Sequence, residues 1–313
     1  MKTVCQKSQT SVKAFGNFNS LLFPYCSFEF PVYSGYAPIQ TLAIDYKMPP
    51  RSGNIIVSEC LDGLLVEIVD EGDHRSLYFG GKVLQSRISL ITPDVLLLLY
   101  TQYMMSALLI QPEPQRVLLI GIGAGALVRF LHHHFPHCAV DAVDNSHRII
   151  RMAGRYFHMP NKDPIAIHCS DGYAFLAAKK LPRPYDLILV DAFDEGGMSE
   201  TIYTGDFFKL CLESLSPEGV LSCNLWSGDP GEMTEVKNSI QRYAISQLYL
   251  PVPNRGNIVA LAFNTPVPWK KINRHQNEID SLSRRFHIDL GRIVRIAKKF
   301  NMTLGQRIGS IFL

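Results

Sequence analysis

Two aspartates three positions apart, Asp191 and Asp194, close the apolar run Tyr185-Asp186-Leu187-Ile188-Leu189-Val190. A run of this length and character predicts a strand buried on both faces. Open α/β sheets bind ligands outside the carboxyl ends of their strands, so both carboxylates are expected at the mouth of a crevice, where they would do chemistry or hold a ligand.

A second signal lies upstream. Gln115-Arg116-Val117-Leu118-Leu119-Ile120 reads as another buried strand and runs into Gly121-Ile122-Gly123-Ala124-Gly125-Ala126, followed by an apolar helix. Strand, glycine turn and helix form the geometry of a nucleotide or nucleoside site. Side chains at Gly121, Gly123 and Gly125 would block the approach of a ligand to backbone N–H groups at the helix start. The pattern G-x-G-x-x-[GA] is met by Gly121, Gly123 and Ala126 and on its own would equally suggest NAD. The next strand ends in Asp144, placed to accept both hydroxyls of a ribose. The third ends in Cys169-Ser170-Asp171-Gly172, where Asp171 can accept the exocyclic amine of adenine, form a turn, or cap a helix. Acids at three successive strand ends, Asp144, Asp171 and, on the fourth strand, Asp191 with Asp194, favour an S-adenosyl donor over NAD.

These residues need a scaffold, and the alternation of elements supplies one. After an apolar helix at 94–110, strands at 116–120, 139–143, 165–168, 186–190 and 219–225 alternate with helices at 125–134, 146–156, 172–179, 204–214 and 229–245. This order predicts an α/β fold with a doubly wound, Rossmann-like parallel sheet. A last strand at 257–263 is expected to run antiparallel at or near an edge. Before the sheet, short β-rich pieces between Asn54 and Gln85 alternate with Asp-Gly, Glu-Gly and Gly-Gly turns, which predicts a small antiparallel region. Residues 1–54 show no clear periodicity. The domain layout is therefore read as an N-terminal irregular and β-region at 1–93, a nucleoside-binding catalytic domain at 94–265 and a basic helical tail at 266–313.

Composition agrees with a soluble globular chain of 313 residues, with 47% apolar residues, 19% charged residues and a mean hydropathy of +0.05. Seven cysteines with no C-x-x-C pair argue against a disulfide framework or a zinc knuckle, so a reducing cytoplasm is the expected location. No signal peptide is read, and the longest apolar stretch, Val95 to Ile110, is too short and too interrupted for a bilayer span. Residues 268–313 carry ten Lys/Arg against three Asp/Glu, a net +7 that leaves −4 on the rest of a chain of net +3. Apolar residues at helical spacing predict two amphipathic helices there, whose charge is read as a solvated face and not as a nucleic-acid surface. His132, His133 and His134 are consecutive on a helix and are not expected to share one metal ion. Tyr100 and Tyr103 are read as core packing, and Trp226 as a packing residue or a wall of the acceptor pocket.

Between about residues 55 and 264 the chain resembles the spermidine synthases, or polyamine aminopropyltransferases. The resemblance rests on Asp191-Ala192-Phe193-Asp194 followed by Glu195, two glycines, Glu200, Tyr203 and Asp206-Phe207-Phe208, together with the glycine loop and the acids downstream of it. It implies an AdoMet-methyltransferase-like domain behind a small β-domain, a homodimer, and aminopropyl transfer from decarboxylated S-adenosylmethionine to a small amine, with no metal. It further implies that Asp191 is the base or orienter for the attacking amine and Asp194 a ligand of that amine. Asp144 would bind the ribose, Asp171 and Gly172 the adenine, and Gln85 would reach the nucleoside from the β-domain. Three features depart from the family. Ala124 stands where members carry the aspartate that holds the donor ammonium, Ser89-Leu90-Ile91-Thr92-Pro93 lacks their acidic pair, and the stretch from Pro251 to Gly256 lacks their tyrosine. Loss of the loop acid also removes a charge that would repel the carboxylate of intact S-adenosylmethionine, so methyl transfer is the second reading and a silent nucleoside-binding protein the third.

Overall fold

The computed structural model describes residues 53–61, 63–81, 83–178, 183–194, 197–198 and 201–302. The stretch 1–52, for which no element is predicted, lies outside them. Four strands, β1 (Asn54–Leu61), β2 (Leu64–Glu71), β3 (His74–Phe79) and β4 (Val83–Ser89), pair in chain order as an antiparallel meander. Its apolar face, with Val57, Val66, Ile68, Leu77 and Ile88, packs on Ala124, Met152 and Phe157 of the domain that follows. Arg75 fixes this contact, because its guanidinium grips Asp70 through two bonds of 2.7 and 2.8 Å and donates to the Tyr156 carbonyl at 2.7 Å. The β3–β4 register slips between Leu77 and Tyr78, opposite Ser86 and Leu84, so Gln85 is the extra residue of a β-bulge. Bulges re-aim side chains at sheet rims.

The predicted helix at 94–110 is shorter, with α1 (Leu99–Met104) continued by a 3₁₀ stretch at Met105–Leu109. Then come β5 (Arg116–Ile120), α2 (Ala126–His134), β6 (Ala139–Asp144), α3 (His147–Phe157), β7 (Ile165–Cys169), α4 (Gly172–Ala178) and β8 (Tyr185–Val190). A two-residue hairpin, β9 (Phe193–Asp194) and β10 (Gly197–Met198), leads to α5 (Gly205–Glu213), β11 (Leu215–Trp226), α6 (Pro230–Tyr243), β12 (Ser246–Pro251) and β13 (Asn257–Phe263). Last are α7 (Trp269–Ile272), α8 (Gln276–Phe286) and α9 (Leu290–Asn301).

The large sheet has the order β12-β13-β11-β8-β5-β6-β7, with β11, β8, β5, β6 and β7 parallel and β13 antiparallel to both of its neighbours. β13 is therefore near the edge but not at it, since β12 lies outside. Alternate residues of the central strands face opposite layers. Val117, Leu119, Leu187 and Leu189 join a core with α1, α2, α8 and α9, whereas Leu118, Ile120, Ile188 and Val190 join one with α4, α5 and α6. Three of the helices start where short polar side chains cap them: Ser146 accepts from the Ile149 N–H, Thr204 from Phe207, and Asp229, ahead of Pro230, from Gly231 and Glu232. No helix among the described residues is long and apolar enough to cross a membrane. Among the described cysteines, Cys138, Cys169, Cys211 and Cys223 are free thiols and Cys60 is disulfide-bonded, where the sequence argues against a disulfide framework.

One polar knot ties four parallel strands together. Asp141 on β6 accepts from Arg116 of β5 at 2.9 Å and from the Tyr185 hydroxyl of β8 at 2.8 Å, and its other oxygen lies 2.8 Å from His168 Nε2 of β7. Removing the carboxylate strips the shielded Arg116 cation of its counter-charge and the Tyr185 hydroxyl of its acceptor. Asp141→Ala is accordingly expected to cost about 3 kcal/mol in urea unfolding. A loss below about 1 kcal/mol would mean that the knot is slack.

Candidate active site

The strand order reverses between β5 and β8, and the two strand ends at this switch point carry the glycine loop and the first aspartate. The Asp191 N–H donates to the Ile120 carbonyl at 2.8 Å, so the two ends are stitched side by side. Gly121 has φ +90° and lies so close to Asp191 that a Cβ there would come within 2.1 Å of the Asp191 carbonyl oxygen. At Gly123, with φ +53°, a Cβ would meet nothing within 4 Å and would stand in open space over the loop. Gly125, with φ +74°, takes the N-cap position of α2 against Met159, which makes its contribution conformational.

Asp144, at the end of β6, accepts from the Ile122 N–H through Oδ2 at 2.9 Å and from the Ser146 N–H through Oδ1 at 2.9 Å. The Gly123 N–H bonds to it as well, and burial outweighs these donors in pushing its carboxyl above the usual range. The carboxylate therefore shapes the glycine loop. Asp171, at the end of β7, accepts from the Ala174 N–H at 2.9 Å, the bond of a helix cap, and from the Thr201 hydroxyl at 3.3 Å. Gly172 starts α4 against Ile120 and Ile202, with no room for a Cβ. Asp194 is the second residue of β9, where its backbone pairs with Gly197.

Asp191 has the most distinctive surroundings. Asn224 Nδ2 donates to its Oδ1 at 2.8 Å, and the Tyr100 hydroxyl bonds to the carboxylate from α1. Burial pushes its carboxyl up to about 6, against the pull of these two donors. Tyr100 also lies 3.4 Å from the backbone carbonyl of Gln85 and so joins the β4 bulge to the aspartate. Its ring packs against the large core, as the sequence predicts, and its hydroxyl reaches the site. Tyr103 is wholly buried, as expected. Trp226 ends β11, packs against Gly228 and Gly256, and donates its backbone N–H to Met198 Sδ at 3.4 Å. Asn224 and Tyr100 were not singled out for the site in the sequence, because an asparagine within a strand and a tyrosine in an apolar helix carry no local signal.

Far from the glycine loop, at the other end of α2, His133 Nε2 lies 3.5 Å from Asp94, and ligand atoms of Asp94, His133 and His134 fall within 4.8 Å of one another. Two of the three consecutive histidines thus converge where helical spacing suggests divergence, because Asp94 approaches from the loop ahead of α1. Burial holds His134 down at about 4, and the neighbouring Arg285 guanidinium adds a positive charge that opposes a cation.

A glycine loop at the switch point, an acid at the next strand end and a half-buried carboxylate beside them belong to a fold of the AdoMet-methyltransferase-like class. Residues 98–255 match the spermine/spermidine synthase domain, and the chain belongs to that family. It is 32% identical over 237 residues to a polyamine aminopropyltransferase of Chromobacterium violaceum, covering 75% of this chain and 90% of that protein. Its fold is similar to a spermidine synthase solved in complex with the transition-state analogue AdoDATO, with a TM-score of 0.61, 14% identity, and 83% and 88% of the two chains covered. It is also similar to human methyltransferase-like protein 13 in complex with SAH, with a TM-score of 0.53, 22% identity, and 63% and 93% covered.

Proposed function

We propose that the protein transfers an aminopropyl group from decarboxylated S-adenosylmethionine to a small amine, as the names of its relatives suggest. The observation that carries this reading is the place of Asp191, a half-buried carboxylate at the switch point stitched to the loop expected to cradle the donor, whose carboxyl desolvation pushes up to about 6. A protonated amine has no lone pair to give, so the acceptor must react in its neutral form. Its nitrogen attacks the carbon bonded to the sulfonium, the new C–N bond forms as the C–S bond breaks, and the bonding pair leaves on sulfur as a neutral thioether. The nitrogen is then positive and gives up a proton, which Asp191 accepts. Asp194 would orient the amine, Asp144 hold the ribose, Asp171 and Gly172 face the adenine, and Gln85 close over the nucleoside from the bulge of β4. Burial makes Asp191 a stronger base than a free aspartate, and in-line placement of the two reactants supplies much of the remaining acceleration. In this reading the enzyme works in the cytoplasm as a homodimer.

One observation favours methyl transfer from intact S-adenosylmethionine as a second reading. Ala124, only 1% exposed and packed among Val57, Met152 and Phe157, puts an apolar side chain where the family carries an acid for the donor ammonium.

Calorimetric titration with decarboxylated S-adenosylmethionine, S-adenosylmethionine and methylthioadenosine separates the two. Aminopropyl transfer predicts tighter binding of the decarboxylated donor, and Asp144→Ala should weaken all three by roughly 10- to 100-fold through lost hydrogen bonds to a charged group. Preference for the intact donor would move the assignment to methyl transfer, and no heat with any of them would end both readings.

A further inference from the structure

Asn224 lies on β11 beside the end of β8, where Cys223 pairs with Val190, so its side chain is level with Asp191. In the antiparallel pairing of β11 with β13, Asn224 is opposite Val259 and Trp226 opposite Asn257. Residues 257 and 259 share a face, so Asn257 is the diagonal neighbour of Asn224, within reach of a polar side chain. Asn257 Nδ2 donates to Asn224 Oδ1 at 2.9 Å, and Asn224 Nδ2 donates to Asp191 Oδ1 at 2.8 Å. The direction of this chain is dictated by chemistry. A carboxylate only accepts, so Asn224 must present its NH₂ to Asp191, and its carbonyl is then free to take the bond from Asn257. The backbone carbonyl of Asn224 is held in turn by the Tyr203 hydroxyl at 2.8 Å. At 2% exposure Asn224 has no water to fall back on, and a buried amide is retained only when its bonds are made.

We propose that Asn224, aimed by Asn257, is a positioning residue for Asp191: it ties one carboxylate oxygen to the sheet and so fixes where the proton acceptor stands in the crevice. The proposal rests on the reading of Asp191 as that acceptor. Among the described residues, the titratable groups that interact with Asp191 are Tyr100 from α1 and Tyr203 from the segment ahead of α5, and both are held protonated by burial. Asn224 is thus a donor whose removal acts on the carboxylate without changing a charge, and it does not itself titrate.

The test reads Asp191 directly. In protein carrying ¹³C-labelled aspartate carboxyls, the resonance lost in Asp191→Asn identifies the group, and its titration is followed in wild type, Asn224→Leu, Asn224→Gln and Asn257→Leu. Loss of a hydrogen bond to the charged form should raise the midpoint by about one to two pH units in Asn224→Leu. A smaller rise is expected in Asn257→Leu and partial return in Asn224→Gln. If Asn224→Leu does not fold, Asn257→Leu still decides the matter. An unmoved midpoint in the folded variants overturns the proposal whether or not any amine is turned over. Where turnover is measurable, the acidic limb of kcat/KM should move with the carboxyl midpoint. A limb that stays while the midpoint moves would leave the Asn224 role standing and remove Asp191 as the proton acceptor.

Discussion

Asp191→Asn should cut kcat for amine transfer by about 10²- to 10⁴-fold while changing donor affinity little, because it removes a base and keeps a side chain of the same shape. In the wild-type enzyme the same group predicts the pH dependence. The carboxyl is raised from 3.8 to about 6 by burial, so activity should fall as pH drops through about 6 and the base becomes protonated. Stability runs the other way. A carboxyl whose folded value is raised binds its proton more tightly when folded, which favours folding fully below about 3.8 and is lost as pH rises through about 6. At neutral pH the ionised Asp191 is therefore a burden of up to about 3 kcal/mol. Asp191→Asn should unfold at higher urea concentration than wild type at pH 8 and lose that advantage near pH 4. Full transfer activity in this variant would remove Asp191 from the mechanism, and lower stability at pH 8 would contradict the account of its burial.

The second large effect is expected at Gly121. A methyl group there would sit 2.1 Å from a backbone oxygen of the adjoining strand end, at φ +90°, where L residues are strained. The obstacle is the Asp191 peptide itself, held by its bond to Ile120, so no flexible side chain can move aside. Gly121→Ala should cost about 4 kcal/mol or more, the sum of backbone strain and overpacking, and weaken nucleoside binding by more than tenfold. Gly123→Ala makes the useful contrast. It has the positive φ without the clash, so its stability loss should be about 1–2 kcal/mol, with the new methyl group reaching into the space proposed for the ligand. Urea midpoints and calorimetry on the two variants check both statements. Equal stability losses would mean that the contact between Gly121 and Asp191 is not a tight one.

What was legible in the chain was what is local in it. The parallel strands, the glycine turn and the acids at the strand ends are written in contiguous stretches of apolar and turn residues, and the fold follows from their order. β12 carries no signal of its own because only Ala244 and Ile245, with no turn residue, separate α6 from its six residues. The support of Asp191 was hidden for a different reason. Tyr100, Asn224 and Asn257 come from three distant elements, and only the pairing of β11 with β8 and β13 brings them together. Asp171 shows the limit of residue type as a guide: cap and adenine ligand look the same in sequence, and the structure gives it the bond of a cap. For the basic C-terminal segment, helical spacing identified two amphipathic helices but could not say what their apolar faces would meet.

Those faces meet the oldest part of the nascent sheet. Ile279, Phe286, Leu290, Ile293 and Val294 share one core with Val117, Leu119 and Phe130, and the Arg274 guanidinium reaches back 165 positions to the Leu109 carbonyl. During synthesis β5 and α2 emerge long before α8 and α9, so one apolar side of the sheet waits uncovered while the rest of the chain is made. Contacts so distant in sequence close late and slowly. The uncovered side of the sheet is thus the surface through which a partly folded chain would aggregate until α8 and α9 dock.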